Sequence, residues 1–570
     1  MKRKSFKRLI TFTIAATLVI TSLSGCGKQE GSGDAKASDA AVNSTGSSTA
    51  SSTPGNTGAS WTQDTSPLTL DWFVNFDWYT GKWFPEALIM KKITEDTGIT
   101  VNFITPPSGS TDKLNTMIAS DSLTDIITLG TWEAQFKLLQ DSGMVESLLD
   151  ISKSDAPELE KNIAPSLQNW YRHENGNLYI YPTGASPVES QKTAPNYNSN
   201  AGIVARKDIM DQLGIKPEDF NTQDGMVAAL KKVKDGNIKY NDQKVEPFYI
   251  GANGGIDDTF KLSFPQMFGI KEEDSSGNFL DWRVQPQALE IFQFSNRLWK
   301  EGLIAKENFT AQRKQIEEKV SKGALFCLDA NVPDFTEAMK TLKRSDDKAE
   351  FVGVGPVLSK TGAAPLYKAG AVGWAGTMIS AKSKNKVRAA RFLAYLSTEE
   401  GQILTNFGIE GTTYTKDGSD GHFKFTTEYV DATKADANAA TQKYGIGALW
   451  LLNNDAFTGS VTPVSDKADD VMVANINTFN RKYCFDSSVL TNLEPDAGTD
   501  EANIETQVKD YFNNRIAKMV LAGSEADVEK IFNETVAHLK ELGEVKLTQS
   551  KTDKFLKNKQ KMGINSPYAD

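Results

Sequence analysis

The sequence is poor in the residue types that most often carry chemistry. Among 570 residues there are three cysteines, Cys26, Cys327 and Cys484, and three histidines, His173, His422 and His538. The two cysteines beyond Cys26 make no disulfide framework. Both read as small buried apolar residues, with a single bridge between them as the alternative. The histidines lie far apart without ligand spacing, and HExxH, CxxC, GxSxG and P-loop motifs are missing. The stretch KDGSDGH at 416–422 lacks the alternating acidic residues and closing glutamate of a calcium loop. No metal, cofactor or catalytic residue is therefore expected. Residues 27–60 contain no aromatic residue, and Val42 is their only larger aliphatic. Such a segment has too little apolar surface to offset its ordering entropy. Basic residues are outnumbered by acidic ones, 63 to 73, for a net charge of −10. An acidic chain argues against nucleic acid as a partner.

What is present begins at the amino terminus. Lys2, Arg3, Lys4, Lys7 and Arg8 precede the uncharged apolar run LITFTIAATLVI, Leu9 to Ile20. That is the order of a secretory signal peptide, and the run is short of the roughly 20 residues a membrane span needs. Leu23-Ser24-Gly25-Cys26 follows and resembles the lipobox of bacterial lipoproteins. The resemblance implies that the Cys26 thiol takes a diacylglycerol and that cleavage before it makes Cys26 the first residue. Acyl chains contribute about 0.8 kcal/mol per buried CH₂, and two of them hold a protein on a membrane. The alternative is an ordinary secreted protein with a free or bridged Cys26. Residues 1–25 are thus expected to be a signal peptide, and 26–66 a lipidated Gly/Ser/Thr/Ala-rich tether with a reach of roughly 30 Å. Loss of 1–25, which holds five basic and no acidic residues, leaves a net charge of about −15.

The remaining body, 67–570, is too long for one compact core and reads as two lobes. Leu68 to Val74 alternates as a strand; Pro85 marks a helix start, and EALIMKKITEDTG runs to a C-capping Gly98. ITVNFIT (99–105) reads as a strand, KLNTMIASDS (113–122) as a helix and TDIITLG (124–130) as a buried strand. This β-α-β-α-β order predicts a mainly parallel sheet with flanking helices, with ligands beyond the carboxyl ends of its strands. Near the other end, Val508, Phe512, Ile516 and Val520 form one stripe of a helix. A second helix is predicted from an N-cap at Ser524 through Val528, Phe532, Val536 and Leu539 to Gly543. Asp417-Gly418 reads as a turn between strands.

A set of stretches in constant order then resembles family 1 extracellular solute-binding proteins of ABC importers. EDTGITVNF and MIASDSLTDIITLG come first, although the usual ASGxxPDI appears here as Ser120 to Ile126 without its Gly and Pro. NGNLYIYP (175–182), AGIVARKDIMDQLGIKP (201–217), the helix end in ALEIFQFSNRLWKEGLIAKENF (288–309) and SKGALFCLDAN (321–331) follow. RAARFLAYLSTEEGQILTNFGIEGTTY (388–414) is similar to the GIEGxxY signature of the long, sugar-binding lipoprotein subset, and RIAKMVLAG (515–523) to its AKMILG.

The resemblance implies a two-lobed α/β clamp with crossing hinge segments, lobe 1 near 67–185 and 375–480, lobe 2 near 186–374 and 481–570. It further implies an oligosaccharide ligand, an ABC permease as partner, a lipid anchor on the outer face of the bacterial cytoplasmic membrane, and a monomer without enzymatic activity. Sugar C–H faces lie flat on aromatic rings while hydroxyls need fixed donors and acceptors. The loops after the strands supply both. The candidates are Trp78, Trp132 and Trp374 for stacking, and Asn75, Asp77, Glu133 and Asn331 for hydrogen bonds, with Glu410 from the GIEG loop. Trp72 alternates onto the core face; Trp282 and Trp299 read as core, and Trp170 and Trp450 have no assigned place. Competing classes are an oligopeptide-binding lipoprotein and, more remotely, a surface glycoside hydrolase, which needs two carboxylates across its cleft.

Overall fold

A computed structural model describes residues 58–107, 111–186, 201–250, 260, 263–329, 331–355, 359–370, 372–416, 421–462, 467–496 and 498–568. Cys26 with the expected signal peptide, most of the tether, and the Asp417-Gly418 turn lie outside these residues.

The first sheet forms as its sequence predicts at the amino-terminal end. Strands β1 (Leu68–Val74), β2 (Ile99–Ile104) and β3 (Ile126–Gly130) pair in parallel, with Leu68 opposite Ile99 and Trp72 opposite Ile126. The helix Leu88–Thr97 ends at Gly98, whose φ of 69° is the left-handed cap. Pro85 lies in the turn before this helix, and Ala87 is the N-cap. Two further strands join the sheet, β4 (Tyr181–Thr183) and, much later in the chain, β9 (Ala375–Ile379), giving the order β2-β1-β3-β9-β4. Trp72, fully buried, donates its indole N–H to Thr128 at 2.9 Å, and Thr128 meets Thr377 at 2.7 Å. This relay ties β1, β3 and β9 through an otherwise apolar core.

The second sheet contains β5 (Ile203–Arg206), β6 (Glu246–Tyr249), β7 (Leu325–Asp329) and β8 (Phe351–Val354) in the order β8-β5-β7-β6. Ile203 and Ala205 enter one buried cluster and Val204 another, so alternate residues of β5 serve opposite faces. The two sheets therefore have separate cores, and the chain crosses between them after Thr183, before Ala375 and after Leu452.

Both sheets are mainly parallel, as expected, and each carries one reversed strand, β9 in the first and β5 in the second. Strand β9 runs antiparallel to both β3 and β4, and β5 is antiparallel to β7 and β8, leaving β6–β7 as the one parallel pair described in the second sheet. In the first sheet the reason is topological. Thr183, where the chain leaves, is level with Ala375, where it returns. A strand that re-enters at the edge its neighbour left from must run backwards. Helix Ala468–Arg481, placed with the first lobe in the sequence reading, packs its Met472 and Ile476 with Val204 and Phe351 of the second sheet.

The carboxyl-terminal helices Asp500–Val520 and Glu525–Glu541 bury Val508, Phe512, Ile516, Val520, Val528, Phe532 and Leu539 on the second core. The Ser524 hydroxyl accepts from the Asp527 amide at 3.1 Å, the predicted cap. A third helix, Glu544–Met562, follows Gly543 and reaches back to the first lobe. There Lys561 donates to the Trp170 carbonyl and Asn169 to the Lys561 carbonyl, each at 2.9 Å. No disulfide joins Cys327 and Cys484.

Candidate functional site

The carboxyl ends of β1, β3 and β4 and the amino-terminal end of β9 meet at one edge of the first sheet. The loop after β1 carries Asn75, Phe76, Asp77 and Trp78; the loop after β3 carries Trp132 and Glu133; Trp374 immediately precedes β9. Three predicted indoles are brought together there. Trp132 and Trp374 stack at 6.1 Å between ring centres and 19° between planes, and Trp78 and Trp374 meet at 6.1 Å. Phe76, buried, lies beneath them, stacked on Trp78 at 5.0 Å and 5.3 Å from Trp374.

A fourth indole completes the group. Trp450 opens the short 3-10 turn Trp450–Leu452 and stacks on Trp78 at 6.2 Å and 17° and on Trp374 at 6.0 Å and 27°. It comes from a non-repetitive turn hundreds of residues from Trp78, so no local pattern marks it. The turn is held by Thr183 of β4, whose hydroxyl donates to the Leu451 carbonyl at 2.7 Å, and by Tyr79, whose hydroxyl donates to Ala448.

Trp374 is fixed by its backbone: its amide donates to Thr183 at 3.1 Å and its carbonyl accepts from the Thr131 amide at 3.0 Å. The indole lies against Gly184, where a Cβ would stand 2.4 Å from Nε1; Gly184 also has φ +63°. Only glycine permits that approach. Trp78 and Trp132 remain 53 % and 50 % exposed, large apolar faces turned to solvent at one place.

Polar groups border the rings. The Glu133 carboxylate accepts from the Gly130 amide at 2.8 Å and from the Asn75 side-chain amide. Burial pushes the Glu133 carboxyl above its ordinary range, and these two hydrogen bonds oppose the shift. Asn75 Oδ1 is buried without a hydrogen-bond partner among the described residues. Asp77, between Phe76 and Trp78 in the sequence, is exposed.

The other two candidates lie elsewhere in the described contacts. Asn331 follows β7 of the second sheet, caps helix Val332–Ser345 and donates to Asp334 at 2.9 Å. Glu410 is exposed in the turn between Gly408 and Tyr414, beside the small cluster of Phe407, Tyr414 and Phe423. Trp72, Trp170 and Trp282 are buried and Trp299 packs on the second core, so these four belong to packing. Among the described residues no group of three or more His, Cys, Asp or Glu is placed to hold a metal ion.

The fold is that of a two-lobed α/β solute-binding protein. The family described as bacterial extracellular solute-binding protein matches residues 82–403, and this chain belongs to it. The fructooligosaccharide ABC transporter substrate-binding protein FusA of Streptococcus pneumoniae is 24 % identical over 476 residues, 77 % of this chain and 81 % of FusA. Lipoprotein LipO of Bacillus subtilis is 24 % identical over 344 residues, 58 % of this chain and 64 % of LipO. The structure of FusA in complex with kestose superposes with a TM-score of 0.65 at 16 % identity, covering 86 % of this chain and all of FusA's. That of the alginate-binding protein AlgQ2 without calcium does so at 0.63 and 19 %, covering 87 % and 99 %.

Proposed function

We propose that this protein is the sugar-capturing component of an ABC importer, held on the outer face of the bacterial cytoplasmic membrane through acylated Cys26 and delivering an oligosaccharide to a permease. The observation that carries the reading is the grouping of Trp78, Trp132, Trp374 and Trp450 at the strand ends of the first lobe, edged by Asn75 and Glu133. Flat, half-exposed indoles suit the C–H faces of sugar rings, and a fixed carboxylate accepts from hydroxyls. Asn75 Oδ1 is one more acceptor awaiting a donor. FusA, related in sequence and fold, carries a fructooligosaccharide name and was solved with kestose, which supports the carbohydrate assignment; the lipoprotein name of LipO supports the anchor.

The lobes would act as a clamp. Trp374 stands at the crossing before Ala375 and Trp450 at the one after Leu452, and Asn331 stands at the end of β7 in the second lobe. A ligand touching both lobes favours the closed arrangement by its differential affinity for it. A thermal-shift screen of oligosaccharides against oligopeptides tests the assignment, because a ligand that binds only the native state raises its melting temperature. Shifts with an oligosaccharide are expected; shifts with peptides alone would sink the sugar assignment, and release of shorter products would show a hydrolase.

A further inference from the structure

We infer that the cavity beside Trp132 receives the far units of a linear, uncharged oligosaccharide whose nearer units lie on the indoles; this rests on the sugar-binding reading above. The cavity measures about 760 Å³, within the roughly 300–1,000 Å³ of small-molecule sites. It is continuous with the aromatic group, because Trp132 and Glu133 belong to both. One wall is the helix Ala134–Asp141 and the end of helix Pro165–Tyr171; the other is the loop at 492–496 and the helix Glu544–Met562. Trp132 therefore stands as a partition: it stacks on Trp374 and borders the cavity, and half its surface is open. A chain lying on Trp78 and Trp374 and passing the edge of Trp132 enters this space.

The charges in the cavity choose among chains. Lys137 is paired with Asp141 at 2.5 Å, Lys554 with Asp496 at 2.7 Å, and His173 with Asp141 at 2.8 Å. Arg172 donates to the Gly176 carbonyl and Lys561 to that of Trp170, each at 2.9 Å. Lys137, Lys554, Arg172 and Lys561 each already have an acidic or carbonyl partner that a uronic acid would have to displace. Hydroxyls need no such exchange, since paired ammonium and carboxylate groups keep spare protons and lone pairs.

Two longer contacts cross the opening, Lys137 to Asp496 at 3.7 Å and Lys557 to Glu174 at 3.8 Å. Lys557 and Glu174 are 70 % and 81 % exposed, and such pairs hold with little energy. A ligand can part them at small cost, while the hydrogen bonds of Asn169 and Lys561 keep the floor closed.

The test is equilibrium titration of the purified chain with neutral oligosaccharides from disaccharide to hexasaccharide, with alginate oligosaccharides as the acidic series. Affinity for the neutral series is expected to rise roughly tenfold once the chain passes Trp132. Ala134→Trp and Gln560→Trp fill the cavity from opposite walls; each should remove that gain and leave the affinity for the short sugar unchanged. Ala134→Ser should keep the gain, and thermal unfolding checks that every variant is folded. The inference is overturned if longer chains bind no tighter than short ones, if the gain survives both tryptophans, or if the acidic series binds more tightly than the neutral. If no saccharide of any length binds, the sugar reading itself fails, a result distinct from the loss of length dependence alone.

Discussion

Replacing Trp78 by alanine separates ligand binding from folding more cleanly than any other change at the site. The ring is 53 % exposed in the unliganded protein. An indole buries on the order of 200 Å² when fully covered, so roughly 100 Å² is left for a ligand to cover. At about 25 cal/mol per Å² that amounts to about 2.5 kcal/mol, or nearly two orders of magnitude in Kd. A sugar covering only one face would realise about half of this, so the expected loss is between roughly tenfold and roughly sixtyfold. The cost to the fold is smaller. Trp78 contributes its stacking on Phe76 at 5.0 Å and on Trp450 at 6.2 Å, each worth about 1 kcal/mol. In a chain of this size that lowers Tm by a few degrees at most. Calorimetric titration with an oligosaccharide that binds the unaltered protein, alongside a melting curve, measures both. Val545→Ala, which removes a 64 % exposed apolar side chain of the carboxyl-terminal helix, is the control and should alter neither. A Kd for Trp78→Ala within about threefold of the parent, with Val545→Ala equally silent, would show that the exposed indole face is not where the ligand lies.

Other changes test the fold, the anchor and the polar edge. Gly98→Ala forces a Cβ to within 2.2 Å of the Thr65 carbonyl oxygen at φ +69°, and denaturant unfolding should show a loss of about 2 kcal/mol or more. Burial pushes the Asp455 carboxyl up to about 6 from 3.8. The native state then holds more protons than the unfolded one between those values, so this group's contribution to stability falls as pH rises through the window. Asp455→Asn should accordingly raise the unfolding free energy at pH 8 relative to the parent by on the order of 2 kcal/mol, and have little effect near pH 4; denaturant unfolding at the two pH values measures it. Glu133→Gln replaces an acceptor of two hydrogen bonds with a group whose amide faces a donor; sugar affinity should fall about tenfold. Cys26→Ser should move the protein from the membrane fraction to the medium and leave the affinity of the solute-binding domain unchanged.

Much of the first lobe can be read residue by residue because its signals are local. Leu68–Val74 alternates, Gly98 caps, and Ile126–Gly130 is an unbroken apolar run, each an observation within a handful of residues. The same holds for Trp78, Trp132 and Trp374: loops that follow parallel strands, or lead into a neighbour of them, open at one edge. Strand direction is not local. Whether β9 runs with or against β3 depends on where the chain re-enters after the second lobe, and nothing in Ala375–Ile379 encodes it. Trp450 was missed for a related reason, since it reaches the cluster only through Thr183 and Tyr79, far away in sequence. Helix Glu544–Met562 escapes a periodicity search because its inward face is thin. Leu547 and Phe555 are its fully buried large apolar residues, and lysines on its flanks find acids on other elements, Lys551 with Glu505 and Lys559 with Glu273. Gly543, which by sequence marks a helix end, is at φ 104° the joint between two helices.

The central claim is that four indoles gathered from distant parts of the chain form the floor for a sugar. Titration of the purified protein with neutral oligosaccharides, and with oligopeptides in parallel, followed by tryptophan fluorescence, tests it most directly. Saturable binding of an oligosaccharide with a change in emission, abolished by Trp374→Ala and absent with peptides, is the predicted result. Saturation by peptides alone, or sugar binding that leaves the fluorescence unchanged and survives Trp374→Ala, would contradict it.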